Sequence, residues 1–67
     1  MREKYFVYRC FNTKEQMNEL TNHLSMNGYD FSINGTVLIV HEEEADYVET
    51  IMNDRHIEYI LEDFEWK

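Results

Sequence analysis

The stretch NGTVLIV, residues 34–40, decides how the rest of the chain is arranged. Asn34-Gly35 is a strong signal for a tight hairpin turn, and residues 36–40 have high β propensity. Before the turn, residues 29–33 alternate between apolar and polar side chains, which is typical of an edge strand with one wet face. A run of acids follows directly from Glu42 and suits the first turn of a helix. The stretch therefore predicts a hairpin that leads straight into an acidic helix.

Two further strands are predicted on either side of this hairpin and helix. Residues 5–11 carry bulky apolar side chains on both alternating faces, which is typical of a central strand. Residues 57–61 are predicted to form the last strand, with Ile57, Tyr59 and Leu61 on one face. Phe64 and Trp66 break that alternation by one residue, which indicates a bulge or bend near residues 62–63.

Two amphipathic helices separate the strands. The first begins at one of two overlapping capping boxes, starting at Asn12 or at Thr13, and Gly28 suits its C-terminal end. The second extends from about residue 42 or 43 to residue 54. Their apolar stripes consist of Met17, Leu20 and Leu24 in the first helix and of Ala45, Val48, Ile51 and Met52 in the second.

The element order β-α-β-β-α-β, with right-handed crossovers, predicts a ferredoxin-like α+β fold with a four-stranded antiparallel sheet and two helices on one face. Residues 1–67 are expected to form a single acidic domain. The single cysteine, Cys10, excludes an internal disulfide and favours a reducing compartment. With neither a signal-peptide pattern nor a run of roughly 20 apolar residues, a cytoplasmic protein is expected.

The charge is concentrated in one part of the chain. Residues 1–41 carry four acids and four bases, whereas residues 42–67 carry ten acids and two bases, so the net charge of −8 belongs to the second part. Such asymmetry indicates an interaction surface. It argues against direct binding to nucleic acid or to an anionic membrane, because their phosphates would be repelled.

The two predicted central strands are apolar on both faces, although the helices cover only one face. A small monomer rarely leaves so much apolar surface in water. Two alternatives remain open: a second copy related by a two-fold axis covers the open face, or the tail at residues 64–66 folds under the sheet. The residues expected in the homodimer interface are Tyr5, Val7, Val37 and Ile39.

No pattern in the chain predicts catalysis, a cofactor or a metal. His41 with Glu43, or His56 with acids nearby, lacks the spacing and the cysteines of a structural zinc site. Cys10 alternates with aromatic residues and is expected to be a buried thiol. Both glycines are explained by turns, so a phosphate-binding loop is not indicated. We expect a protein that is not an enzyme.

The uncompensated acids favour a different function. Carboxylates on successive helical turns lie about 6 Å apart, and those on alternate strand residues about 6.6 Å apart. Phosphates along one nucleic-acid strand have a similar separation. The residues expected to contact a basic nucleic-acid-binding protein are Glu42, Glu43, Asp46, Glu49, Glu58, Glu62 and Asp63, with Tyr47, Tyr59 and Trp66 as apolar anchors.

In size, compactness and one-sided acidity over residues 42–67, the chain resembles the small phage-encoded inhibitors that act as DNA mimics. These include inhibitors of histone-like nucleoid proteins, of uracil-DNA glycosylase and of CRISPR effectors. The resemblance implies an inhibitor in the host cytoplasm that occupies the nucleic-acid-binding cleft of its partner. The alternative is a small regulatory domain that homodimerises through its sheet and senses a small ligand.

Overall fold

The computed structural model of the protein describes residues 2–67 and has the predicted order of elements. The sheet order is β2-β3-β1-β4, and all neighbouring strands are antiparallel. The ferredoxin-like α+β fold predicted from the sequence is therefore confirmed. The elements are β1 (Lys4–Cys10), α1 (Lys14–Met26), β2 (Phe31–Asn34), β3 (Val37–His41), α2 (Glu42–Asp54) and β4 (Tyr59–Trp66).

The β2–β3 hairpin differs from the prediction by one residue. Asn34 pairs with Val37, so the two loop residues are Gly35 and Thr36. Gly35 has a φ of 64°, whereas Asn34 and Thr36 do not have a positive φ. Glycine with positive φ at the first loop position is the pattern of a type II′ turn, which matches the twist of the flanking strands. As a result, β3 begins at Val37 and extends to His41.

The capping residues of α1 agree with one of the two predicted boxes. The Thr13 hydroxyl accepts a hydrogen bond from the Gln16 N–H, and the Gln16 amide oxygen accepts one from the Thr13 N–H. These two bonds satisfy backbone donors that a helix start leaves free. The alternative box at Asn12 is not used, and Asn12 instead accepts a hydrogen bond from the Glu58 N–H at 2.7 Å.

Both helices end in a Schellman motif. After α2, the His56 N–H donates to the Asn53 carbonyl at 3.1 Å, and the Ile57 N–H donates to the Met52 carbonyl at 2.8 Å. In this motif the residue directly after the C-cap must adopt a positive φ. Gly28 does so after α1, as predicted, but α2 places His56 there with a φ of 58°.

The core lies between one face of the sheet and both helices, as predicted. β1 and β3 are the central strands and supply Tyr8, Cys10, Leu38 and Val40 to this face. The predicted apolar stripes of the helices pack against them; Ile51 is only half-buried. The buried residues of this cluster are Tyr8, Cys10, Met17, Leu20, Leu24, Leu38, Val40, Ala45, Val48, Met52 and Ile57.

The tail does not fold under the sheet, so this alternative is wrong. Residues 64–66 continue β4, which pairs with β1 as far as Trp66 opposite Lys4. The register shifts between Val7 and Tyr8, which confirms the predicted bulge. Because the bulge restores the alternation, Phe64 lies on the helix-covered side of the sheet, with its partner Phe6.

The opposite face of the sheet carries no helix, and we call it the open face. The four residues predicted for a dimer all lie there. Val7 is already buried by its neighbours, with 6 % of its surface exposed, and Tyr5, Val37 and Ile39 are half-buried. Ile60 lies on the same face and is 49 % exposed. The open face is therefore partly covered by its own side chains.

Candidate interaction surface

The outward face of α2 is acidic. Residues of a helix turn by about 100° each, so Glu43, Asp46, Thr50 and Asp54 share the side opposite the buried stripe. All four are exposed, and so is Glu42 on the flank. Tyr47 lies among them and is 64 % exposed. We call Glu42, Glu43, Asp46 and Asp54 the acidic ridge.

The ridge carboxylates have no basic partner in the described part of the chain. The helix contains six acids and no Lys, Arg or His. Among residues 2–67, Arg9 forms an ion pair with Glu62, at 2.8 Å, and the His41 ring lies 3.6 Å from the Glu3 carboxylate. Neither of these pairs involves α2. Its negative charge therefore faces solvent without compensation.

The N-cap residue of α2 is His41, which is also the last residue of β3. The Nδ1 atom of His41 accepts a hydrogen bond from the Glu43 N–H at 3.2 Å and so caps α2. The Nε2 atom lies 3.6 Å from a Glu3 carboxylate oxygen. A neutral imidazole with its proton on Nε2 fits both contacts. The acids that follow lie where the helix dipole favours negative charge.

Glu49, which is among the predicted contact residues, is not part of the exposed row. Glu49 is half-buried, and its carboxylate accepts a hydrogen bond from the Tyr8 hydroxyl in the core. Burial, followed by the contact with Glu49, raises the pKa of Tyr8 above its ordinary value. Glu44 is likewise engaged, because it accepts a hydrogen bond from the Asp30 N–H. Both acids stabilise the fold rather than face a partner.

One flank of α2 faces β4. Glu49 contacts Tyr8 of β1, and the Asn53 amide oxygen accepts a hydrogen bond from the Tyr59 hydroxyl of β4 at 3.2 Å. Asp46 is near enough to contribute to the raised pKa of Tyr8, after burial and Glu49. Glu42 lies one turn before Asp46 on the same flank. Two members of the acidic ridge, Glu42 and Asp46, thus lie on the flank of α2 that faces β4.

Beside this flank, β4 exposes apolar side chains. The helix packs against β1 and β3, and β4 extends beyond them as the edge strand. On its helix-covered side, Leu61 is 44 % exposed, Phe64 41 % and Trp66 57 %. We call these three residues the apolar strip. Exposed large apolar groups that border a charged rim are typical of a protein interface.

An ammonium group already lies over the end of this strip. The Lys4 Nζ atom is 4.3 Å from the centre of the Phe64 ring and 5.6 Å from the centres of both the Phe6 and Trp66 rings. Phe6 and Phe64 meet edge to face, with 5.0 Å between their centres. These distances are in the range of cation–π interactions. We call the three rings the aromatic site.

Two of the predicted contact residues lie on the other side of the sheet. Glu62 pairs with Arg9 on the open face, and Asp63 lies opposite Val7 on that face. The Asp63 carboxylate also accepts a hydrogen bond from the Phe64 N–H at 2.8 Å. The predicted acidic surface is thus divided between two faces: α2 and Trp66 are on the helix-covered side of the sheet, whereas Glu62 and Asp63 are on the open face. Glu58 is exposed in the segment before β4.

The sequence prediction missed several residues of this surface. Asp54 could have been found from helical periodicity, because it continues the row of Glu43 and Asp46. Phe64 and Leu61 could have been found once the bulge was placed, because the bulge returns both to one side of β4. Lys4 had no local signal.

The remaining reactive groups are a single cysteine and the side chains that line one groove. No group of three or more His, Cys, Asp or Glu residues within 2–67 is placed to hold a metal ion. Cys10 is buried, as predicted, and burial raises its pKa to about 11, so the thiol is protonated at neutral pH. An open groove lies beside the helices, lined by Glu19, Asn22, His23, Met26 and Arg55.

Comparison with protein-family models, with curated protein sequences and with solved structures finds no match to this chain. Neither helix among residues 2–67 is long and apolar enough to cross a membrane. The surface features that bear on function are the acidic ridge, the apolar strip and the aromatic site.

Proposed function

We propose that the chain is a non-enzymatic, cytoplasmic acidic protein that occupies the nucleic-acid-binding surface of a basic partner. The observation that supports this proposal is the acidic ridge, which has no basic side chain on its helix and no ion pair among residues 2–67. Ordinary protein surfaces intersperse both signs of charge. A single-sign surface instead attracts a partner of opposite charge over several ångströms and accelerates association.

The spacing of the ridge suits a site that binds phosphates. Glu42 and Asp46 are one helical turn apart, so their carboxylates are separated by about 6 Å along the axis. Lysine and arginine side chains that grip successive phosphates can therefore engage successive carboxylates. Asp54 extends the row to the last turn of α2, where the helix dipole disfavours an acid. A partner cation there would relieve this local cost.

The apolar groups beside the ridge provide contacts that charge alone does not supply. Tyr47 is exposed among the acids, and Trp66 is exposed at the end of the apolar strip. Aromatic side chains contribute strongly to binding when a partner desolvates them. The ridge then sets the rate and orientation of encounter, and the aromatic residues slow dissociation.

Competition with DNA tests the proposal. The protein is titrated into a complex of labelled DNA and a basic bacterial DNA-binding protein at low and moderate salt. The test variant combines Glu43→Lys, Asp46→Lys and Asp54→Lys. The control combines Glu15→Lys, Glu19→Lys and Glu65→Lys, which changes the net charge equally and also reverses one acid in a first helical turn.

The native chain and the control should release the DNA, and added salt should weaken the release. The α2 triple variant should lose it. If the two triple variants behave alike, only net charge matters and the ridge is not a binding surface. If the native chain releases no DNA from any of a panel of such basic proteins, the proposal is wrong.

A second candidate function is a regulatory domain that homodimerises through the open face. It is favoured by the apolar residues on that face, of which Ile60 is 49 % exposed and Val37 and Ile39 are half-buried. Val7 and the Arg9–Glu62 pair already cover part of the same face. The self-association test in the Discussion separates this candidate from the first.

A further inference from the structure

The aromatic site holds a cation that has no carboxylate partner in the described chain. Lys4 lies over the rings of Phe6, Phe64 and Trp66 but forms no ion pair among residues 2–67. The protein has a net charge of −8, so carboxylates outnumber the ammonium and guanidinium groups that could pair with them. The position of Lys4 over three rings indicates that these rings form a favourable environment for an alkylammonium group.

The site is accessible from solvent. Phe64 is 41 % exposed and Trp66 is 57 % exposed, and both lie on the edge strand of the sheet. The occupant is the end of a flexible side chain that can swing into water without disturbing the backbone pairing of β1. A second cation can therefore reach the rings if Lys4 moves aside.

We propose that the aromatic site binds a lysine side chain of the basic partner, which takes the place of Lys4. This inference rests on the proposed function and names one contact within it. The acidic ridge belongs to α2, which covers the side of the sheet on which Phe64 and Trp66 lie, so a basic segment held by the ridge is on the same side as the rings. The ridge attracts the basic segment, and the rings select one ammonium group from it.

Lysine is favoured as the residue that enters. The rings surround a single compact ammonium, at 4.3 Å from Phe64 and 5.6 Å from the other two ring centres. A lysine from the partner can present the same ammonium group to these rings. Lys4 acts as the internal competitor, so its removal should strengthen binding of an external lysine.

The test uses pentalysine as the probe and the fluorescence of Trp66, the single tryptophan, as the readout. Lys4→Ala empties the site. Lys14→Ala is the control, because it removes the same charge from an exposed position at the start of α1. Phe64→Leu removes one ring and retains the fluorophore. Circular dichroism establishes that each variant is folded.

Lys4→Ala should bind pentalysine about fivefold more tightly than the native chain, and Lys14→Ala should bind it like the native chain. Choline chloride should displace pentalysine from Lys4→Ala better than sodium chloride at equal ionic strength. In Lys4→Ala/Phe64→Leu, choline chloride and sodium chloride should displace pentalysine equally well. Displacement by choline tests whether the aromatic rings bind an organic cation. The change in pentalysine affinity tests whether they bind a lysine side chain.

Equal affinities of Lys4→Ala and Lys14→Ala, or equal displacement by choline and sodium, would overturn the proposal. Such a result leaves the DNA-release experiment unaffected, because that experiment depends on the acidic ridge. Conversely, tight pentalysine binding by Lys4→Ala without DNA release would reject the proposed function and retain the lysine site. The two failures are therefore distinguishable.

Discussion

The Tyr8 hydroxyl of β1 donates a hydrogen bond to the Glu49 carboxylate of α2. Tyr8 has no exposed surface, and a buried phenol needs an acceptor to offset the loss of water. Glu49 is the acceptor, so one acid of the apparent surface row is committed to holding the helix on the sheet. The four acids of the acidic ridge remain exposed on the same helix.

The first prediction concerns this hydrogen bond. Tyr8→Phe should lower the free energy of unfolding by about 1.5 kcal/mol, because a half-buried carboxylate loses its donor. Glu49→Gln should cost less, because the amide oxygen still accepts. Urea denaturation followed by circular dichroism measures both. A larger loss in Glu49→Gln than in Tyr8→Phe would contradict this account.

The second prediction is a loss of stability at alkaline pH. Burial raises the pKa of Cys10 from 9.0 to about 11, and raises that of Tyr8 above 10.0. Both groups are neutral when protonated, so the unfolded chain releases these protons at lower pH than the folded chain. Their stabilisation is complete below pH 9 and is lost as pH rises, by at most about 1.4 kcal/mol per pH unit for each group.

Urea denaturation at pH 7, 9, 10 and 11 measures this loss. Cys10→Ala should flatten the dependence between pH 9 and 11, and Tyr8→Phe should flatten it above pH 10. Stability that stays constant up to pH 11 in the native chain would show that neither group is shielded in the folded state.

The third prediction concerns the cap of the acidic helix. His41→Ala removes the acceptor for the Glu43 N–H and should destabilise the protein by about 1 kcal/mol. His41→Asn should restore most of that loss, because asparagine is a strong N-cap residue. Thermal unfolding compares the two variants. An alanine variant as stable as the native chain would mean that His41 does not cap α2 in solution.

The fourth prediction is a stabilising substitution. His56 adopts a φ of 58° in the Schellman motif after α2, where Gly28 stands in the equivalent position after α1. His56→Gly should raise the free energy of unfolding by about 0.5–1 kcal/mol, because glycine adopts positive φ without steric cost. Gly28→Ala should destabilise by a similar amount. Denaturation midpoints that move in the opposite directions would reject this reasoning.

The fifth prediction tests the open face. If two copies meet there, light scattering should report about twice the monomer mass of 8.2 kDa. Val37→Glu should then give a monomer, and Thr50→Glu on the outward side of α2 should leave the mass unchanged. A native chain that remains monomeric at millimolar concentration would exclude the homodimer.

Sequence patterns determined the features that depend on near neighbours along the chain. The order of elements, the apolar stripes of both helices and a capping box at Asn12 or Thr13 follow from periodicity and local hydrogen bonding, and the structure selects Thr13. The bulge was also predictable, because Phe64 and Trp66 break the alternation of β4. The location of the net charge follows from composition.

Only the tertiary structure decided which of these residues meet. Glu49 was indistinguishable from its acidic neighbours until Tyr8 was found beneath it. Glu62 and Asp63 lie on the face away from α2 because the bulge and the pairing with β1 set their direction. Lys4 and Trp66, at opposite ends of the chain, meet because β1 and β4 are antiparallel neighbours. Periodicity shows how residues alternate within one element, but the contacts between elements depend on the crossing of the helix and the register of the strands.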